Sequence, residues 1–177
     1  MSDLQCPATF LIARPGDAEQ AVDSFLSDDD GPLTDKGREQ VRRLVEQVHQ
    51  RPIAGVYSST MDRAVQSAEL AASALGVPRV VADGLQEFCP GGEDGRAVVK
   101  RFTDALDQIA DTHRGETVLV FTHRAVMSLA IPRLSVNVRN DLAAQQFLPN
   151  CVPAEVQVDA DGWRVVSWPF STDRATD

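Results

Sequence analysis

The residues L-I-A-R-P-G-D, positions 11 to 17, end a short apolar run with an arginine, a glycine and an acid. A strand emptying into such a loop suits an anion: a guanidinium offers a fixed fork of donors, and glycine lets the backbone come close. Arg14, Gly16 and Asp17 are therefore the first candidate binding residues. Pro15 stands in the middle of them and brings no chemistry, because its nitrogen is a tertiary amide without an N–H. His123 is a second candidate, at the end of T-V-L-V-F-T and just before Arg124. Histidine is the side chain that can take or give a proton near neutral pH. Ser58 and Ser59 end a third short apolar run.

These positions meet only if the runs before them are neighbouring strands. Residues 8–14, 55–59, 79–82 and 117–122 read as strands: short apolar runs bounded by turn residues. Residues 32–49 predict a helix with Thr34 as N-cap and Val41, Leu44, Val45 and Val48 at helical spacing. Residues 61–76 predict an Ala-rich helix stopped by Gly76. Val98, Val99, Phe102, Ala105, Leu106 and Ile109 mark a third helix, and 123–130 a fourth. Between 85 and 95 lies a glycine-rich loop. From Ala154 to Trp168 apolar residues alternate around Asp161-Gly162, the signal of a hairpin. Strands alternating with helices predict a three-layer α/β/α sandwich with a mostly parallel sheet. Ligands of such sheets sit beyond the carboxyl ends of the strands, where Arg14, Ser58-Ser59 and His123 converge.

Composition narrows the function further. The chain has 177 residues, 43% hydrophobic and 24% charged, with a net charge of −9. That is one domain's worth of core, spanning 1–177, with 8–168 as its body and 171–177 as a frayed tail. An acidic surface opposes nucleic acid and anionic membrane as partners. No run approaches the ~18–20 apolar residues of a membrane span. The first residues show no signal peptide, so the expected compartment is the cytoplasm. Cys6, Cys89 and Cys151 are odd in number and far apart, which argues against a disulfide framework. No Cys/His spacing suggests zinc, and neither metal nor cofactor is expected. The expected partner is a small molecule, and the hairpin edge leaves a homodimer open.

Five motifs, in order, carry a resemblance. They are Arg14-Pro15-Gly16-Asp17, P-L-T-D-K-G-R-E-Q (32–40), Y-S-S-T-M-D-R-A-V-Q-S-A (57–68), L-Q-E-F (85–88) and V-L-V-F-T-H-R (118–124). Together they resemble the histidine phosphatase superfamily, also called phosphoglycerate mutase-like, over roughly residues 8–168. In that family a histidine in the first motif attacks phosphorus. Two arginines and a second histidine hold the phosphoryl oxygens, and an acid protonates the leaving group. The resemblance implies that Arg14 and Arg63 form the anion clamp, that His123 is the pocket histidine and that Glu87 is the proton donor. It places Pro15 at the nucleophile, Asp17 where Glu is commoner and Arg124 where Gly is commoner.

A proline cannot form a phosphohistidine, because covalent catalysis needs an available lone pair. Cys89, two residues after Glu87, is either a packed residue or a substitute nucleophile. His123 is better suited as a general base for water than as a nucleophile. The acids Asp28, Asp29, Asp30, Glu93 and Asp94 either border the pocket, disfavouring a phosphate dianion, or are solvated. Arg124 adds a third charge to the clamp, fills the substrate's space, or pairs with one of those acids. Three functions follow. The first is acid–base chemistry on a small molecule by His123 and Glu87 without a phosphoenzyme. The second is a pseudophosphatase that binds a phosphate- or carboxylate-bearing ligand or a partner protein. The third is weak phosphatase activity by direct attack of water.

Overall fold

In the computed structural model, which describes residues 6–19, 31–89, 91–138 and 148–169, ten elements alternate. They are β1 (Ala8–Ala13), α1 (Asp35–Val48), β2 (Ile53–Ser58), α2 (Asp62–Leu75), β3 (Arg79–Val81), α3 (Gly95–Thr112), β4 (Thr117–Phe121), α4 (Arg124–Leu134), β5 (Ala154–Asp159) and β6 (Gly162–Ser167). The expected tail, 171–177, lies outside the described residues. One six-stranded sheet runs in the order β3-β2-β4-β1-β5-β6. The β3-β2, β2-β4 and β4-β1 pairs are parallel, while β1-β5 and β5-β6 are antiparallel.

The two faces carry different helices. Val41, Leu44 and Val48 of α1 join Ala64, Ala68, Ala71 and Ala72 of α2 against Leu11, Val56, Leu119 and Phe121. On the other face Val98, Phe102, Leu106 and Ile109 of α3 join Val126, Met127 and Ile131 of α4 against Phe10, Ile12, Val118 and Val120. β1 and β4 are apolar on both faces, as strands covered from both sides must be. Each large side chain buried this way stabilises the fold by roughly 1.5–3 kcal/mol before entropy is counted.

Local signals set the boundaries. The Thr34 hydroxyl accepts from the Gly37 N–H and starts α1. Gly76 stops α2 at φ 69°, in the left-handed region. The third helix begins at Gly95, ahead of the apolar positions that announced it. Asp94 caps it by accepting from the Arg96 and Ala97 N–H groups. The fourth runs on past Ala130 and through Pro132 to Leu134.

The register decides what meets at the carboxyl edge. Ala13 lies opposite Phe121, and Phe121 opposite Ser58. Arg14, Ser59 and His123 therefore leave three adjacent strands at the same level. The first loop then folds down onto α1. Thr34 N–H donates to the Asp17 carbonyl at 3.0 Å, and a Cβ on Gly37 would fall inside that carbonyl. Gly37→Ala is expected to cost about 1–3 kcal/mol, the usual range for overpacking against a rigid neighbour. Urea unfolding checks it; an unchanged midpoint would mean that the loop yields freely.

Candidate anion pocket at the carboxyl edge of the sheet

Arg14 continues β1 and is braced by the segment before β5. Its main chain bridges Asn150, its carbonyl accepts from the Cys151 N–H at 3.1 Å, and its guanidinium donates to the Leu148 carbonyl. Gly16 and Asp17 serve the scaffold. The buried Gly16 N–H donates to Ser67 Oγ at 3.1 Å, and Ser67 in turn donates to the Arg63 carbonyl at 2.7 Å. Asp17 N–H donates to Gln40 at 2.8 Å, and its carboxylate accepts from the Thr34 hydroxyl at 2.7 Å. These bonds tie the loop to α1 and α2. Through them Gly16 and Asp17 shape the loop that follows Arg14.

His123 is the N-cap residue of α4 and is 2% exposed. Arg63, in the first turn of α2, reaches its Nδ1 at 3.3 Å, and Ser59 Oγ lies 2.7 Å from its Nε2. A guanidinium has only donors, so Nδ1 must carry the lone pair. The proton is then on Nε2 and is donated to Ser59. Burial, and after it the charges of Arg63, Arg14 and Arg101, lower the His123 pKa to about 3. The ring is neutral at physiological pH with both nitrogens engaged. Ser59 is fully buried and accepts a hydrogen bond from the ring, so it is not an activated nucleophile.

Glu87 does not stand free as a proton donor. Its carboxylate accepts from the Phe88 N–H at 2.9 Å and from the Val126 and Ala125 N–H groups at 3.3 and 3.4 Å. The His123 side chain makes no cap bond, so Glu87 caps α4 from a neighbouring loop. Arg124, the first residue of α4, is exposed and makes no side-chain hydrogen bond or ion pair among the described residues. The third cation acting on His123 is Arg101, which the sequence reading passed over.

The acids near Glu87 are also committed. Glu93 pairs with Arg101 at 2.6 Å, and Asp94 is the cap of α3. To the two expectations for these acids, bordering the pocket or lying in solvent, the structure adds that each has a local partner. Asp28, Asp29 and Asp30 lie outside the described residues. Cys89 is exposed rather than packed. Cys151 is buried beside Arg14 with φ 56°. Burial pushes its thiol up to about 12 despite that guanidinium, which leaves it inert as a nucleophile. Among the described residues, no group of three or more His, Cys, Asp and Glu could hold a metal ion, and no helix is long and apolar enough to cross a membrane.

One guanidinium, that of Arg63, thus touches a buried neutral imidazole at the carboxyl edge of the sheet, and the charge of Arg14 bears on the same ring. That arrangement can hold an anion; it offers no free base. The wider likeness agrees with the fold. The chain is 27% identical to phosphoglycerate mutase-like protein 4 of Arabidopsis thaliana, over 91% of this chain and 84% of that one. It superposes on Bacillus stearothermophilus YhfR with a TM-score of 0.80 at 22% identity, covering 93% and 98% of the two chains. On a phosphoglycerate mutase from Bacillus anthracis the TM-score is 0.74 at 16% identity, covering 94% of each. The profile of the histidine phosphatase superfamily (branch 1) matches residues 10–91 and 88–171, nearly the whole body of the fold, and the chain belongs to that superfamily.

Proposed function

We propose that the protein binds a phosphate- or carboxylate-bearing small molecule between Arg14 and Arg63 and does not pass it through a phosphohistidine. The Arg63 guanidinium against the buried His123 ring, with the charge of Arg14 felt at the same ring, carries this reading. Pro15 removes the covalent route, and the engaged rings and carboxylates supply no substitute. A structural relative gives support by analogy. It is a phosphoserine phosphatase from Entamoeba histolytica with one histidine changed to alanine, described in complex with phosphoserine; it superposes with a TM-score of 0.72 at 16% identity. Acid–base turnover by His123 and Glu87 fits less well. It would require His123 to shed Arg63 or Ser59, and Glu87 to leave the α4 amides.

Calorimetric titration with inorganic phosphate tests the reading. The wild type should bind, and Arg63→Ala should bind at least tenfold more weakly, as loss of a charge-assisted hydrogen bond worth about 1.5–3 kcal/mol requires. Equal affinity in the two proteins overturns it. Robust hydrolysis of an aryl phosphate by the wild type, lost in Arg14→Ala, overturns it in favour of direct attack by water.

A further inference from the structure

The loop that carries Glu87 has no strand to pair with, yet its carbonyls must find donors. Four successive carbonyls, Gly84 to Glu87, are satisfied by two side chains. Thr122, the residue before His123, donates its hydroxyl to the Leu85 carbonyl at 2.7 Å, fully buried. Arg101 of α3 takes the other three. Its Nη1 donates to the Gly84 and Gln86 carbonyls, each at 2.8 Å, and its Nη2 to the Glu87 carbonyl at 3.1 Å. Nε and Nη2 close a bidentate pair on the Glu93 carboxylate at 2.8 and 2.6 Å. All five N–H groups of the guanidinium are used. Gly84 enters the loop at φ 90°, pressed so closely on α3 that a Cβ there would come 2.7 Å from the Arg101 carbonyl.

The contacts form a chain from α3 to the pocket. Arg101 fixes the backbone of 84–87, that backbone aims the Glu87 carboxylate, and the carboxylate seats on the Ala125 and Val126 amides that begin α4. His123 precedes those amides by two and three residues. The fork geometry matters, because three carbonyls and a carboxylate surround one planar group. A lysine ammonium is a point charge with three donors and cannot replace it.

We propose that Arg101 is a positioning residue of the anion pocket, holding Glu87 on the head of α4 and so setting how His123 meets Arg63. Its effect on ligand affinity rests on the anion-binding reading; its effect on Glu87 does not. Glu93 is the counter-ion that keeps the guanidinium in place. The Arg101 hydrogen bond holds the Glu93 carboxyl below the usual carboxylate range.

Amide spectra of the full 15N-labelled chain test this directly. In Glu87→Gln the Ala125 and Val126 resonances should move, because their acceptor loses its charge. In Arg101→Lys, which spares the burial of the side chain, the same two resonances should move the same way. The double variant should add nothing further at those amides. Phosphate affinity in Arg101→Lys should fall about tenfold. If Arg101→Lys lowers the melting temperature but leaves both amides in place, Arg101 is merely structural and the proposal fails. It fails equally if the wild type binds phosphate and Arg101→Lys binds it as tightly. A wild type that does not bind phosphate sinks the pocket reading alone, and the two amides still judge Arg101.

Discussion

Pro15→His is expected to give the protein an aryl phosphatase activity at least ~100-fold above the wild type, a small part of what a well-oriented nucleophile can contribute. The reasons lie in the loop. Pro15 is buried, and its neighbours hold the backbone without its help: Gly16 N–H on Ser67, Asp17 N–H on Gln40 and the Asp17 carbonyl on Thr34. Proline only fixes a φ that this backbone already adopts, so its loss should cost less than about 1 kcal/mol, mainly through the unfolded chain. The introduced imidazole brings the missing lone pair. It would attack phosphorus as the aryl oxide leaves, and water would then break the P–N bond to release phosphate. On the anion-binding reading, Arg14 and Arg63 hold the phosphoryl oxygens. Glu87, tied to the α4 amides, is a poor donor to the leaving group. The gain should therefore appear with p-nitrophenyl phosphate, whose leaving group needs no proton, and be much smaller with an alkyl phosphate. A Pro15→His protein that binds phosphate yet shows neither turnover nor a phosphorylated intermediate would mean that the pocket no longer fits a transferring phosphoryl group.

What the sequence could say about this site follows from the range of the interactions involved. Arg14 and His123 are legible because a strand end is a local event, and both follow apolar runs of strand length. Thr34 and Gly76 are legible for the same reason, as a cap and a stop written within a few residues. Arg63 and Glu87 enter only through the family resemblance, since an arginine in an Ala-rich helix and an acid in a loop carry no signal of their own. Arg101 was missed altogether. Its partners lie 8 to 17 residues upstream across a loop, and no helical or strand period links them. The start of α3 was missed because Gly91, Gly92 and Gly95 make the segment read as loop, while Asp94 quietly caps it. The bonds of Glu93 and Asp94 were equally illegible, since the partner of one lies eight residues on and the other caps a helix whose start was hidden. Burial and charge, the two quantities that decide how His123 behaves, arise only when three strands and two helices close over it.

That closure makes stability depend on pH, and the direction is fixed by the His123 shift. In the unfolded chain the imidazole titrates near 6.5; in the folded protein the value falls to about 3, first through burial and then through Arg63, Arg14 and Arg101. Between those values the unfolded state binds a proton that the folded state refuses, so stability rises with pH and is lost as pH falls. Above about pH 7 the group costs nothing. Each unit below 6.5 removes about 1.4 kcal/mol, reaching ~2 kcal/mol at pH 5 and ~4–5 kcal/mol near pH 3. Carboxylates join in below about pH 5, and His49 and His113 are common to both proteins, so the difference between the wild type and a His123 variant from pH 8 to 5 isolates this imidazole. Urea unfolding of the wild type across that interval should show the loss of ~2 kcal/mol. His123→Gln, which keeps a donor for Ser59 and an acceptor for Arg63, should lose about 2 kcal/mol less than the wild type over the same interval. A wild type as stable at pH 5 as at pH 8 would mean that His123 takes up its proton in the folded state. The two guanidiniums would then not bear on the ring as described. Saturating phosphate should lessen the wild-type slope, because an anion between Arg14 and Arg63 offsets their share of the shift, while the larger share from burial stays. The pH slope and the binding site would then be two readings of one cluster.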